Sequence, residues 1–137
     1  NIKYRHTLPE DMDRERRQFD VVLNMEVLEH VADRTLFLKI AASLVKPGGA
    51  MVLSTLNRTL KSLALAKIGA EYVFRWVPAG THDWQKFVRP SELARDLEVH
   101  GMKVRNLTGL GYNPVDGGWR ESRDLDINYM MFTTKAT

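Results

Sequence analysis

An apolar run that ends in a cluster of polar residues constrains this chain more than any other feature. Residues Phe19 to Met25 are almost continuously apolar, which is typical of a parallel strand covered on both faces. The run stops at Glu26, and a second carboxylate, Glu29, and an imidazole, His30, follow closely. In open α/β sheets, ligands bind outside the carboxyl ends of such strands. We therefore expect an active site where this strand ends.

A complete β-α-β unit follows from the next residues. Asp33 is a suitable N-cap for a helix from Arg34 to Val45. Every fourth residue on one face of that helix is apolar: Leu36, Ile40 and Leu44. Pro47-Gly48-Gly49 ends the helix, and Ala50 to Leu56 predicts a second core strand. The spacing fits one right-handed crossover, and an α/β fold is predicted.

The remaining elements predict a further helix and an antiparallel hairpin. Arg89-Pro90-Ser91-Glu92 opens a helix that ends before Gly101. Three segments are strand-like: residues 2–6, 102–107 and 126–134. The turn-rich segment 109–124 separates the last two, so a hairpin with a long loop is their simplest pairing.

Composition limits the class of protein. The 137 residues are enough for at most one domain, and the absence of cysteine excludes disulfides, thiolate metal sites and cysteine nucleophiles. The net charge is +3, and residues 58–89 carry six basic and two acidic side chains, which gives +4 there. This basic zone favours an anionic membrane surface or an anionic ligand. Nucleic acid is not expected, because its footprint is normally denser.

Residues 58–89 also predict a helical lid or a membrane-facing insertion. A helix from Ser62 to Trp76 has a narrow charged stripe at i, i+4 spacing and is apolar on nearly all other faces. A helix buried between the sheet and another element has the same composition. His82 lies beside a carboxylate in the following loop, where it is either a base or substrate contact, or an exposed loop histidine.

Glu26, Glu29 and His30 are the first candidates for catalysis and for metal binding. If the backbone turns helically after the strand, Glu26 shares a face with the other two side chains. Carboxylate-rich sets suit magnesium or manganese, and one member can instead be a general base with a pKa shifted toward neutrality. The alternative is that the carboxylates only stabilise a helix N-terminus and that His30 makes local contacts.

The chain resembles the ubiquinone-biosynthesis O-methyltransferases, bifunctional enzymes that methylate polyprenyl catechols and demethylubiquinol. The segments that carry the resemblance keep the order of that family and cover most of the chain: residues 19–31, 44–49, 54–58, 69–72, 78–83, 108–114 and 126–130. Lys46-Pro47-Gly48-Gly49 is shared by many methyltransferases. The segments Ser54 to Arg58, Gly69 to Tyr72 and Gly80 to Asp83 are together more specific.

The resemblance implies a class I S-adenosylmethionine-dependent methyltransferase, Rossmann-like, of which residues 1–137 are the C-terminal part. Parallel strands that end in an antiparallel hairpin are expected. S-adenosylmethionine is the implied cofactor, Met25 lies in its pocket, and Glu26, Glu29 and His30 correspond to a possible Mg²⁺ site. The glycine-rich loop of the family lies upstream of the segment that resembles residue 1. A donor half outside this chain is therefore expected.

The implied substrate is a polyprenyl phenol or quinol, and the implied location is peripheral, at the inner face of the bacterial plasma membrane. A sheet without its first strands has an edge strand with unpaired backbone groups, and pairing of two copies there predicts a homo-oligomer. Glu26, Glu29, His30 and, second, His82 are the candidates that assist loss of the phenol proton. Two other functions stay open: a non-catalytic membrane-surface or interaction module, and a methyltransferase for another small acceptor.

Overall fold

The computed structural model of the chain describes residues 1–64, 84–113 and 117–137, with the side chains of 112 and 113 left out. Its helices and strands follow one another along the chain: α1 Pro9–Arg14, β1 Phe19–Met25, α2 Arg34–Ser43, β2 Val45–Leu56, α3 Leu60–Ser62, α4 Pro90–Val99, β3 Met102–Asn113, β4 Gly118–Ser122 and β5 Asn128–Lys135. Short 3₁₀ turns lie at Leu28–His30 and Trp84–Lys86.

The strands form one mixed sheet in the order β1-β2-β5-β3-β4. β1 and β2 are parallel, and every other neighbouring pair is antiparallel. The predicted hairpin is the β3–β5 pair, and the crossover between the parallel strands is α2. The α/β prediction, with parallel strands followed by an antiparallel hairpin, is therefore confirmed.

The core lies between one face of the sheet and two helices. Alternate side chains of β2 point to the same side because successive residues of a strand face opposite ways, and Met51, Leu53 and Thr55 are all buried there. Residues of α2 and α4 pack against that side in a single cluster: Leu38, Ala41, Ala42, Leu93 and Leu97. The cluster fixes the carboxyl ends of β1 and β2 relative to each other.

Three expectations about the first 45 residues were wrong. Residues 2–6 form no strand. The helix α2 ends at Ser43, because Val45 already pairs with Phe19 in the parallel ladder. Of the predicted apolar face, Ile40 and Leu44 are buried, but Leu36, in the first turn of α2, is 47% exposed, and Ala41 and Ala42 also pack in the core cluster.

β1 is also more open than the sequence predicted. It is an edge strand of the sheet as described, and Val21 and Leu23 are 56% and 65% exposed. Their neighbours Val22 and Asn24 face the core and are partly or fully buried. The described residues therefore cover this strand on one face, and not on both.

The loop predicted between residues 109 and 124 contains a strand. β4 pairs with the end of β3, from Gly109 opposite Ser122 to Asn113 opposite Gly118. The helix predicted from Ser62 to Trp76 falls mostly outside the described residues. Only α3, with a capping box formed by Thr59 and Ser62, is seen at its start.

Candidate active site

Glu26 turns the chain at the carboxyl end of β1. Its backbone is left-handed, with a φ of 52°, an uncommon conformation for a residue other than glycine. The Glu26 N–H points back at β2, where it lies 3.1 Å from both the carbonyl oxygen and the Oγ of Ser54. The Ser54 hydroxyl in turn donates to Glu26 Oε1 at 2.6 Å. Both the backbone and the carboxylate of Glu26 are thus held by one serine.

Glu29 occupies the centre of the 3₁₀ turn at residues 28–30 and is buried. The hydroxyl of Thr55 donates to Glu29 Oε2 at 2.9 Å. Ser54 and Thr55 are consecutive residues at the end of β2, and each holds one carboxylate. The two carboxyl groups interact with each other there. The pair forms through a left-handed residue followed by a 3₁₀ turn, and not through the continuous helix assumed from the sequence.

The environment favours the neutral form of Glu26. The pKa of Glu26 is raised to about 7, mainly because the carboxyl group is buried and also because Glu29 lies beside it, whereas the Ser54 hydrogen bond acts in the opposite direction. Glu26 as a whole residue is exposed, but its carboxylate end lies against Ser54, which is 1% exposed. A carboxyl group of this kind exchanges its proton near neutral pH, as a general base must.

The other predicted site residues are less closely associated. His30 ends the 3₁₀ turn and is exposed, and Met25 is 43% exposed at the last position of β1. His82 lies outside the described residues. Within residues 1–64, 84–113 and 117–137, histidines and carboxylates form no group of three or more that could hold a metal ion. Binding of Mg²⁺ by Glu26, Glu29 and His30 therefore stays a prediction.

An apolar cavity of about 390 Å³ opens beside the segment that follows β1. Its wall is mostly aliphatic and aromatic and includes Leu8, Pro9, Val27, Val31, Leu36 and Phe37. Glu10 also lines it, and Glu10 Oε2 is buried with no hydrogen-bond partner in the described part of the chain. An apolar slot with one buried acceptor suits a flat ring that bears an amino group.

The carboxyl end of the second core strand, Thr55 to Arg58, was expected along the same edge as the site, but no role was predicted for Ser54, Thr55 or Asn57. The available signal was the run of hydroxyl and amide side chains at the end of an otherwise apolar core strand. Asn57 is 8% exposed, its Nδ2 donates to the carbonyl oxygen of Leu125 at 2.9 Å, and its Oδ1 is buried without a partner among the described residues.

Curated relatives share much of this sequence. A "Ubiquinone biosynthesis O-methyltransferase" from Caulobacter vibrioides is 60% identical over 117 residues, which are 85% of this chain and 46% of the relative. One of the same name from Chelativorans sp. is 50% identical over 137 residues, which are 100% of this chain and 54% of the relative. The resemblance to this family is confirmed. The chain spans about half the length of the curated relatives it matches.

Solved structures share the fold at low identity. A possible histamine N-methyltransferase from Thermotoga maritima has a TM-score of 0.58 at 17% identity, over 87% of this chain and 57% of that one. Magnesium protoporphyrin IX methyltransferase from Synechocystis, solved with bound SAH, has a TM-score of 0.57 at 18% identity, over 88% of this chain and 46% of that one. The class I methyltransferase fold is confirmed.

A family model described as "Methyltransferase domain" matches residues 1–107. The match contains the parallel pair, α2, α4 and the paired carboxylates, so it covers the whole candidate site and most of the core. The chain belongs to the methyltransferase domain family.

Proposed function

We propose that this chain serves the S-adenosylmethionine-dependent O-methylation of polyprenyl catechol and demethylubiquinol intermediates in ubiquinone biosynthesis. The observation that carries the proposal is the pair of carboxylates, Glu26 and Glu29, held by Ser54 and Thr55 at the carboxyl end of a parallel strand. Relatives at 50–60% identity that bear the name of this activity support the same conclusion.

Met25 and the apolar cavity beside Val27 are the residues here that would hold the cofactor. Met25 is exposed at the strand end, and the cavity offers an aromatic-sized apolar slot with Glu10 Oε2 as an acceptor for an amino group. When bound, S-adenosylmethionine supplies a methyl group on a sulfonium. Fold neighbours include a methyltransferase solved with SAH, which supports this choice of cofactor.

Glu26 acts on the acceptor. A phenol with a pKa near 10 is almost fully protonated at neutral pH, so its oxygen must lose a proton as it attacks the methyl group. The Glu26 carboxylate takes that proton, because its pKa of about 7 lets it be ionised and basic at the same pH. Glu29 is a positioning residue: it is fixed by Thr55 and keeps the pKa of Glu26 raised.

His30, His82 and Mg²⁺ stay predictions. His30 is exposed, four residues after Glu26, the base that it would have to replace, and His82 lies outside the described residues. No step of the proposed mechanism passes through a metal, because the described donors do not group as a cation site. Chelation followed by Mg²⁺ addition separates the two possibilities: turnover that depends on the added cation contradicts a base-only mechanism.

Binding of S-adenosylhomocysteine tests the proposal. We expect weak or no binding by this chain alone. We expect tight binding by a hybrid in which the segment that precedes the matched region in the Chelativorans relative, which matches all 137 residues, is placed before residue 1. Titration calorimetry measures both, and transfer of labelled methyl to a short-chain catechol measures activity. A hybrid that binds S-adenosylhomocysteine but methylates no phenol would overturn the choice of a phenol as the methyl acceptor.

We also propose that residues 58–89 bring the protein to the cytoplasmic face of the membrane, where a polyprenyl substrate resides. None of the helices in the described ranges has both the length and the apolar character that a bilayer span requires. Leu60, at the start of this segment, is 77% exposed, and the segment carries the local excess of +4. Arg58 and Lys61, beside Leu60, already pair with acidic side chains, so the proposal depends on Leu60 and on the other basic residues of the segment. Exposed apolar and basic side chains together favour binding to anionic lipid surfaces.

Co-sedimentation with vesicles tests the membrane proposal. We expect binding to vesicles with anionic lipid that weakens with salt and falls in the double variant Lys67→Glu, Arg75→Glu. Lys61 is not used, because it already pairs with Asp124 and Asp126. Lys39→Glu, on the exposed side of α2, is the matched control and leaves binding unchanged. If the double variant and the Lys39→Glu control lose vesicle binding equally, the proposal is contradicted. If the hybrid binds vesicles but not S-adenosylhomocysteine, the non-catalytic membrane-surface module is favoured.

Assembly of copies is a separate prediction. Pairing of copies through β1, one of the two edge strands of the described sheet, stays a prediction. It would give a concentration-dependent mass in analytical ultracentrifugation.

A further inference from the structure

Asn57 has an acceptor atom that nothing in the described chain uses. The residue is more than nine-tenths buried, and its Oδ1 has no hydrogen-bond partner in that part of the structure. A buried carbonyl without a partner is costly, so such an atom calls for an explanation. Its Nδ2 donates to the carbonyl oxygen of Leu125 at 2.9 Å, and this bond fixes which end of the amide is free. The free end can only accept.

The position of Asn57 places that acceptor beside the carboxylate pair. The Asn57 N–H donates to the carbonyl oxygen of Ile127 at 2.8 Å, so the β2–β5 ladder continues one residue past Leu56. Within a continuing strand, residues i and i+2 share a face. Asn57 therefore lies on the same side as Thr55, whose hydroxyl holds Glu29, and one two-residue rise of about 7 Å separates them.

We infer that Asn57 Oδ1 accepts a hydrogen bond from a second hydroxyl of the acceptor ring while the phenol to be methylated lies against Glu26. The inference rests on the proposed function and names a specificity-determining residue for it. The ligand class is an aromatic ring with two oxygen substituents, one of which keeps its hydrogen. A methoxy group at the second position has no hydrogen to donate, so it leaves Oδ1 unpaired and is disfavoured.

Two methyl-accepting substrates that differ in one hydrogen-bond donor separate the effect of this hydrogen bond from structural effects. The probes are a short-chain catechol and its mono-O-methyl ether, each of which has a hydroxyl to methylate, but only the first has a second donor. In the hybrid with native Asn57, we expect kcat/KM to favour the catechol by roughly 10- to 100-fold. In Asn57→Leu, which has similar volume and no acceptor, we expect the ratio to fall to about 1.

Thr59→Val is the matched control. The Thr59 hydroxyl donates to the carbonyl oxygen of Asp126 and accepts from the Ser62 N–H, so this variant weakens the same loop attachment and the start of α3 while the Asn57 side chain is unchanged. It should lower kcat/KM for both acceptors alike and keep their ratio. If leucine does not fit at position 57, the ratio of kcat/KM for the two substrates is measured in Asn57→Ala instead.

The outcomes separate this inference from the proposed function. A collapsed ratio in the Asn57 variants, with binding of S-adenosylhomocysteine preserved, supports the assignment. An unchanged ratio with good turnover overturns the role of Asn57 and leaves the methylation proposal standing. Absence of methyl transfer to any phenol by a hybrid that binds S-adenosylhomocysteine overturns the proposed function, and this inference with it.

Discussion

Replacing Glu26 by glutamine lowers kcat for methyl transfer in the hybrid enzyme by roughly 10²- to 10⁴-fold, the usual contribution of a general base. Glutamine keeps the size of the side chain and can still accept from the Ser54 hydroxyl, which lies 2.6 Å from Glu26 Oε1. The loss therefore reports the missing proton acceptor. Thermal unfolding and titration with S-adenosylhomocysteine should change little. Turnover within a few-fold of the parent removes Glu26 as the base.

The pH profile gives a second, independent reading. A base must be ionised to work, so kcat/KM rises as pH increases through the Glu26 pKa of about 7 and levels off above it. Below that pH the value falls tenfold per unit, because the protonated carboxyl cannot accept. The Glu26→Gln variant should have no such limb near pH 7.

Glu29→Gln discriminates a positioning residue from a base. This change keeps an acceptor for the Thr55 hydroxyl but removes the neighbouring carboxyl that helps to raise the pKa of Glu26. We expect the rise of kcat/KM with pH to move to lower pH. We also expect a smaller loss of kcat than in Glu26→Gln. The roles of the two residues are reversed if Glu29→Gln loses more kcat than Glu26→Gln while its kcat/KM still rises with pH near 7.

Gly109→Ala should destabilise the protein by about 3 kcal/mol or more, at the upper end of what overpacking usually costs. A Cβ built at Gly109 lies 1.9 Å from the backbone carbonyl oxygen of Asp124 and 3.2 Å from that of Ser122. These contacts involve main chain, which cannot rotate away as a flexible side chain can. The segment before β5, which the Asn57 side chain contacts through Leu125, must therefore shift. Chemical unfolding of the hybrid measures the change.

Gly111→Ala is the matched control on the same strand. The nearest atoms to a Cβ there are 3.8 and 3.9 Å away, which is ordinary van der Waals contact. We expect no loss, and up to about 0.4–1 kcal/mol of gain from the reduced freedom of the unfolded chain. Equal effects at the two glycines would mean that the close approach of residue 124 to β3 is not a tight constraint.

Much of the fold follows from local patterns in the sequence. β1, the carboxyl end of β2, the N-cap Asp33 and the glycine after α4 each depend on a few residues, and each was placed correctly. β2, however, begins at Val45 and not at Ala50, so Pro47-Gly48-Gly49 lies within the strand. Asp33 Oδ1 accepts from the Leu36 N–H at 2.9 Å, and Gly101 has a φ of 76°. The edge of the sheet that carries the site was predictable for the same reason, since polar side chains there interrupt two apolar strands.

The errors arose where tertiary contacts decide. β4 was hidden in a turn-rich segment, because its five residues become a strand only through pairing with β3. Leu36 is exposed while Ala41 and Ala42 pack in the core cluster, which a pattern of large apolar residues does not reveal. The importance of Ser54, Thr55 and Asn57 depends on which chain segments lie opposite them, and single-sequence patterns carry no such information.

Because the backbone of Glu26 is left-handed, selection for stability and selection for activity favour different residues at this position. A glycine at a φ of 52° has no Cβ to strain, and asparagine tolerates the conformation better than glutamate does. A library screened only for heat resistance will therefore enrich these residues and discard the proposed base. Directed evolution of this domain toward thermostability needs a turnover screen in parallel, or position 26 held fixed.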